Sequence, residues 1–449
     1  MVKRPLGISQ NAKSKRQKQQ EQAEPSADEA RPQLTLEVAD NEDPEDTTAQ
    51  LKSLWLEYFR SDRESEALLN GIINEGSSIM QQFYNGEIKL ADLKNEFLAV
   101  LALALSELTI FKAGEEYDES DDRAAAAAAS GDNADKKDQS NEERKEVKEF
   151  FDRALEVAQL KMDSDGDDNL LNLVIAKIIF QRIPLEYISR LQMDSSEAEL
   201  KLHLFELLES GMRHFRIVEE DLELTFEVLC GFSDLLDIVE NFGNERKGED
   251  GLDSDDEAGD EAYEEELLER INLSKDHPLY RIRANMENFY SWLREKLLEL
   301  FEKLDEGSDK KLYSRVANAI GDLYLREAEP SSRTFMKLKY GDMEEEEQGD
   351  ENAEDKLPDE DKKLMLNSQS KAIAATTTAL EYLEKAQLPD DPETWVHVAE
   401  ASIDLGNLYD YESKEQDKAY AKAEELLKKA NVATQNKYSN VLENLLFRS

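Results

Sequence analysis

The chain has 449 residues and a formal net charge of -47, with 102 acidic side chains against 55 basic ones. This length allows two or three domains, and the excess of carboxylates opposes direct binding to the phosphates of nucleic acid. One cysteine, Cys230, excludes an intramolecular disulfide framework and fits a reducing compartment, and its apolar neighbours predict a buried thiol that acts as a small hydrophobic side chain.

The first eighteen residues have the opposite charge to the rest of the chain, with six basic side chains and no acidic one. Two basic clusters, at residues 3–4 and 15–18, have ten residues between them, which is the spacing of a two-cluster nuclear import signal. No apolar core follows, which argues against a secretory signal peptide. The alternative is a basic tail that binds anionic surfaces nonspecifically and is not recognised by an import receptor. The residues assigned to the import signal are Lys3, Arg4, Lys15, Arg16 and Lys18.

Apolar side chains first recur at helical spacing between residues 51 and 59, where five of them fall on one helix face. Thr47 and Gln50, just before that face, predict a capping box. The longest strongly apolar stretch, residues 97–110, is interrupted by Ser106 and Glu107 and is shorter than the roughly 18 residues of a membrane span. No membrane segment is therefore expected.

Four acidic runs, at residues 115–122, 163–168, 249–266 and 342–361, contain few branched or aromatic side chains. Such segments bury too little apolar surface to offset the entropy of ordering, so they are predicted to be disordered insertions. The run at 163–168 also resembles a calcium-binding loop. It lacks the glycine and the final glutamate that the loop requires.

The stretches between the acidic runs show helical periodicity. Ser196 with Glu199 predicts the cap of a helix that continues through Leu208, and seven apolar side chains between residues 289 and 304 repeat the helical spacing. Strand-like alternation is nearly absent. The sequence therefore predicts an all-α protein.

The C-terminal third contains two copies of a tetratricopeptide-like pattern. Residues 320–324 and 405–409 match the first-helix signature, with Gly321 and Gly406 as predicted points of close helix approach. Small, large and small side chains at 379–386 and again at 423–430 match the second helix. In addition, Asp391 and Pro392 predict an N-cap and a first-turn proline ahead of Trp395.

The repeat is degenerate, because the acidic run at 342–361 falls in the turn between the helices of its first copy. An ordinary antiparallel helix bundle is the alternative. We predict a right-handed α-solenoid of degenerate TPR/HEAT-like helical repeats with disordered acidic insertions. The predicted divisions are a disordered tail at 1–46, a helical region at 47–160 with an insertion at about 114–142, and a repeat domain at 161–449 with insertions at about 244–266 and 341–361.

Catalytic chemistry has little support in the sequence. The four histidines are far apart, and neither His-Glu-x-x-His nor Cys-x-x-Cys is present to hold a metal. His203 and His214 are eleven residues apart, which puts them about 16 Å from each other along a helix. No Gly-rich phosphate loop or nucleophile elbow is present either. The chain is expected to be a non-enzyme without a metal or cofactor.

The leader Lys3-Arg4-Pro5-Leu6-Gly7, the basic cluster after it, the helical-repeat body and the acidic interruptions together resemble the fungal enhancer-of-translation-termination family. This resemblance implies a nuclear adaptor that binds an iron- and 2-oxoglutarate-dependent prolyl hydroxylase. We also expect the chain to be a monomer and its leader to bind a nuclear import receptor. The adaptor would import or restrain the hydroxylase and so affect translation termination and oxygen-responsive gene expression. The leader's basic residues carry over as the import signal, and the residues that contact the partner stay unknown.

Two other interpretations involve the acidic runs. The runs could hold a basic client, which would make the protein an acidic chaperone for histones or ribosomal proteins, or they could only keep the chain solvated. Ser254 and Ser164 each precede an acidic residue by three positions, an arrangement that acid-directed kinases read. Both serines are therefore candidate phosphorylation sites, with unmodified serine as the alternative.

Overall fold

The computed structural model describes residues 46–61, 63–127, 135–162, 168–243, 273–307, 309–340 and 358–448. Within these ranges the chain forms fifteen α-helices and no β-strand, which confirms the predicted all-α class. No helix in these ranges combines the length and apolar character needed to cross a membrane.

Eight of the described helices precede residue 243. They are α1 (Thr47–Arg60), α2 (Glu66–Tyr84), α3 (Asn95–Ala127), α4 (Asp135–Gln159), α5 (Asn169–Arg182), α6 (Glu197–Leu200), α7 (Leu204–His214) and α8 (Leu222–Asn241). The seven that follow are α9 (Tyr280–Arg283), α10 (Met286–Phe301), α11 (Lys310–Tyr340), α12 (Asp359–Lys385), α13 (Pro392–Leu408), α14 (Lys414–Thr434) and α15 (Ser439–Arg448).

Helix α5 is the centre of the N-terminal half. Every residue from Leu171 to Phe180 is buried, and α3, α4, α7 and α8 pack around the helix. A helix without a polar face must be covered on all sides. One apolar cluster therefore runs from Leu51 to Ile320 and crosses the predicted division at 160/161, so the two predicted regions share a core.

Two of the three helix N-caps predicted from the sequence are present in the structure, and one is not. Ser196 caps α6, and Asp391 caps α13 with Pro392 as its first residue, both as predicted. The predicted capping box of Thr47 and Gln50 is wrong, because the Asp46 carboxylate accepts from the backbone N–H of Thr48 at 3.0 Å. An ionised carboxylate also interacts favourably with the positive end of the helix dipole.

The single helix predicted from Ser196 through Leu208 is two helices. Lys201 adopts a left-handed backbone conformation with φ 50°, and the N–H of Leu202 bonds the carbonyl of Glu197 at 3.4 Å. This is the hydrogen bond of a Schellman C-cap, which ends α6 after one turn. Amphipathic spacing alone does not reveal such a stop.

The C-terminal half consists of antiparallel helix pairs. Helix α11 packs along α12, and α13 packs along α14, each with its own smaller apolar clusters. A Cβ built at Gly321 would lie 2.6 Å from Leu383 of α12, and one at Gly406 would lie 2.4 Å from the Tyr420 ring of α14. Both glycines are therefore points of close helix approach, as predicted. Helices that pack together are mostly close in sequence, which an α-solenoid requires, and the right-handed solenoid stays a prediction.

Helical backbone enters the predicted insertion at about 114–142 from both sides, since α3 extends to Ala127 and α4 begins at Asp135. The high helix propensity of alanine accounts for the extension of α3. The predicted insertion at about 244–266 lies outside the described residues. Of the predicted insertion at about 341–361, residues 341–357 lie outside them, whereas α12 already begins at Asp359. Residues 341–357 connect α11 to α12, as the repeat pattern predicts.

Candidate partner-binding surface

The residues predicted from sequence to carry import and phosphorylation lie outside the described residues. They are Lys3, Arg4, Lys15, Arg16, Lys18, Ser164 and Ser254. These assignments therefore stay predictions, and the described helices supply a different candidate surface.

The four histidines bond to different parts of the fold. His214 lies 2.7 Å from the Asn172 side-chain oxygen, and His397 lies 2.8 Å from that of Asn318. The ring of His277 lies 3.1 Å from a backbone carbonyl, and burial lowers the pKa of this histidine. These three rings connect neighbouring helices and turns.

His203 lies at the surface between α6 and α7. Within the described ranges, Glu197, His203 and Glu206 are a group whose potential metal-ligating atoms lie within 4.8 Å of one another. Arg281 already pairs with Glu206 and lowers the pKa of that carboxyl. A cation at this position would have to displace the guanidinium.

A buried ion network joins four N-terminal helices around Lys177 of α5. Lys177 pairs with Glu107 and lies 3.3 Å from Glu227, which also pairs with Arg63 at 2.9 Å. The Tyr58 hydroxyl donates to Glu107 at 3.2 Å. Burial alone would raise the pKa of Glu107, but the charges of Lys177 and Arg63 hold it below its usual value. The network fixes α1, α3, α5 and α8 relative to one another, with Lys177 and Glu107 buried and Arg63 at the exposed edge.

An exposed feature of different character lies where α10, α11 and α12 meet. Four half-buried rings, from Phe301, Tyr313, Tyr324 and Tyr382, form a continuous cluster that we call the aromatic face. Phe301 lies 4.6 Å from Tyr313 and 5.7 Å from Tyr382 between ring centroids, and Tyr382 stacks on Tyr324 at 6.0 Å with an interplanar angle of 13°.

The close contact at Gly321 positions the aromatic face. Because glycine has no side chain, Leu383 of α12 can pack against the backbone of α11 at Gly321. At this short distance between the helices, Tyr324, one turn after Gly321, stacks on Tyr382, which precedes Leu383. Phe301 is the last residue of α10, and Tyr313 lies in the first turn of α11. Helical periodicity identifies some of these side chains as apolar, but it does not show that three helices bring their rings together.

Two cations of the chain already lie over these rings. The Arg294 guanidinium is 5.1 Å from the Tyr324 centroid, and Lys385 Nζ is 4.7 Å from that of Tyr382. Arg294 also pairs with Glu327. The exposed Lys385 lies over Phe301 as well, at 5.7 Å. The face therefore attracts cations within the protein itself.

Three carboxylates act on two of the four rings. Burial raises the pKa of Tyr382, and the charges of Glu381 and Glu302 raise it further. The pKa of Tyr313 is likewise raised by burial and by Glu306. Carboxylates and the two cations over the rings therefore both act on this face.

A surface cleft of about 310 Å³ is lined in part by the α10–α11 turn. Leu222, Leu304 and Leu312 are its apolar lining residues, and Lys303, which pairs with Glu219, is its basic one. The remaining lining residues are acidic: Glu219, Glu220, Asp221, Glu223, Asp305 and Asp309.

The lone cysteine is unsuited to covalent chemistry. Cys230 is a free thiol on α8, partly buried against the main apolar cluster. Burial raises its pKa to about 12, so the thiol stays protonated at neutral pH. This agrees with the prediction that it acts as a small hydrophobic side chain.

The chain is similar to several known proteins. A family model described as nuclear pore complex subunit Nro1 matches residues 1–446. Enhancer of translation termination 1 of Saccharomyces cerevisiae S288c is 42% identical over 452 residues, covering 99% of this chain and all of that protein. The protein of the same name from Vanderwaltozyma polyspora is 43% identical over 450 residues, with 99% of each chain covered.

A solved structure is also similar. The Schizosaccharomyces pombe nuclear import adaptor Nro1 aligns with a TM-score of 0.50 and 15% identity, covering 90% of this chain and 98% of the other. At this identity the likeness shows a shared fold alone.

Proposed function

Because this chain belongs to the Nro1 family, together with the yeast enhancers of translation termination, we propose that it is a non-enzymatic nuclear import adaptor that supports correct translation termination. The partner we propose is a prolyl hydroxylase of the iron- and 2-oxoglutarate-dependent class, which the adaptor would import or restrain, with a consequence for oxygen-responsive gene expression. The observation that carries the proposal is a family match that extends over the whole helical body and the basic leader.

The predicted resemblance to this family and the predicted nuclear localisation are both confirmed. We further propose that the chain is a monomer, that its helices form a right-handed solenoid, and that its leader binds the import receptor through Lys3, Arg4, Lys15, Arg16 and Lys18. An extended basic segment suits a receptor with acidic pockets, because each lysine or arginine can make charge-assisted hydrogen bonds there.

The test follows the fluorescently tagged protein and the hydroxylase in the same cells. Changing Lys15, Arg16 and Lys18 to alanine should move both proteins to the cytoplasm. The control changes Lys414, Lys418 and Lys428, exposed residues of α14, and so removes the same charge elsewhere. Nuclear accumulation that survives in the leader variant would refute the assignment of the signal.

The hydroxylase partner is tested separately by copurification. The tagged chain should retain the hydroxylase when residues 244–266 and 341–357 are replaced by short neutral linkers. A chaperone that holds basic histones or ribosomal proteins through its acidic runs would lose its client in the same variant. Recovery of histones alone from the parent protein would support the chaperone instead.

A further inference from the structure

We infer that the aromatic face formed by Phe301, Tyr313, Tyr324 and Tyr382 binds an arginine-rich basic segment of a protein partner. This inference rests on the proposed function, because it assigns a surface to the partner of an adaptor.

The composition of the face favours protein binding. Tyrosine, other aromatic residues and arginine supply most hot spots of protein interfaces, because their rigid side chains bury much area at low entropic cost. Here the rings of three half-buried tyrosines and a phenylalanine, carried by three helices, form a row in which each ring contacts the next. Helices α10, α11 and α12 also fix the rings before a partner arrives, which limits the ordering cost of binding.

The charges select a cationic occupant. Ring faces attract guanidinium and ammonium groups, and Lys385 and Arg294 already use them within this protein. Glu302, Glu306 and Glu381 lie near the rings, and the cleft that the α10–α11 turn helps to line has six acidic residues. An acidic partner would meet like charges, whereas arginines could stack on rings and pair with carboxylates.

Lys385 provides a variant that should strengthen binding. This exposed lysine covers Tyr382 and Phe301, so Lys385→Ala uncovers both rings without changing the core. Fluorescence anisotropy would measure the binding of labelled nona-arginine to the full chain at about 150 mM salt, where exposed charges more than about 8 Å apart are screened. We expect about threefold tighter binding, the size of a weak cation–π contact.

The matched control is Lys428→Ala, which removes the same charge from an exposed position on α14. A general increase in negative charge would tighten peptide binding equally in both variants. Equal changes, or no change in Lys385→Ala, would overturn the inference.

Ring removal is the second arm. Tyr382→Leu keeps an apolar side chain but removes the ring, and we expect about fivefold weaker binding of nona-arginine. Tyr411→Leu removes a tyrosine that is 77% exposed and should leave affinity unchanged. Nona-lysine should bind the parent more weakly than nona-arginine, because guanidinium groups stack on aromatic rings. Thermal melts of both variants check the fold.

The outcomes separate this inference from the proposed function. If Lys385→Ala and Tyr382→Leu bind nona-arginine like the parent while the hydroxylase still copurifies, the aromatic face is not the binding surface and the proposed adaptor function is retained. If Tyr382→Leu weakens peptide binding but the parent retains no hydroxylase, the surface stands and its partner is a different protein.

Discussion

Replacing Gly321 by alanine should destabilise the protein through the contact between α11 and α12. The new Cβ would lie 2.6 Å from Leu383 Cγ and Cδ2 and 3.3 Å from the carbonyl oxygen of Ala379. Leu383 is only 1% exposed, and the carbonyl belongs to a helix, so neither neighbour can move freely. Overpacking of this kind costs about 1–3 kcal/mol, and the better helix propensity of alanine offsets about 1 kcal/mol of that.

The control is the same substitution at Gly71 of α2, where a Cβ would meet nothing within 4 Å. Gly71→Ala should stabilise by about 1 kcal/mol through helix propensity alone. The difference between the two variants therefore isolates the overpacking, about 1–3 kcal/mol.

Urea unfolding followed by circular dichroism measures both variants, with the change read from the midpoint at constant slope. We expect the midpoint to fall for Gly321→Ala and to rise for Gly71→Ala. Equal upward shifts would refute the close approach of α11 and α12, and with it the geometry that stacks Tyr324 on Tyr382.

Four further predictions concern other parts of the chain. Lys177→Met should destabilise by about 3–5 kcal/mol in the same urea assay, because it leaves buried Glu107 without its main cation. Since the pKa of Glu107 is lowered from 4.5, its contribution to the parent's stability is present above that pH and should be lost as the pH falls below it. Cys230, with its pKa near 12, should resist iodoacetamide at pH 8 in the folded protein and react after unfolding in urea; rapid labelling of the native chain would contradict its burial. Ser254 should carry phosphate in protein purified from its own cells. Mass spectrometry that covers the Ser254 peptide fully and finds only its unmodified form would refute this phosphorylation site.

Periodicity and small residues predicted much of the fold. The helical spacing between residues 51 and 59 and between 289 and 304 corresponds to α1 and α10, because an amphipathic helix displays its buried face in the sequence. Gly321 and Gly406 marked real contacts, since few residues other than glycine permit helices to approach so closely.

Features formed by distant residues were not predicted. Helix α5 has no polar face, so amphipathic spacing does not reveal its position at the centre. Lys177 lies within it, 70 residues from Glu107, and nothing local identifies that pair. The aromatic face likewise joins Tyr324 to Tyr382 across two long helices. The stop at Lys201 was missed because a left-handed lysine has no sequence signal comparable to glycine.

Because α11 and α12 pack against each other as an antiparallel pair, their packing depends little on how many residues connect them. Phe335 and Met365 belong to one cluster near that end of the pair, so the helices are held together by their own side chains. Doubling the number of residues that join two fixed ends raises the free-energy cost of closure by only about 0.6 kcal/mol. Orthologues can therefore gain or lose residues at 341–357 without disturbing the helices, and an engineer could insert a reporter domain there.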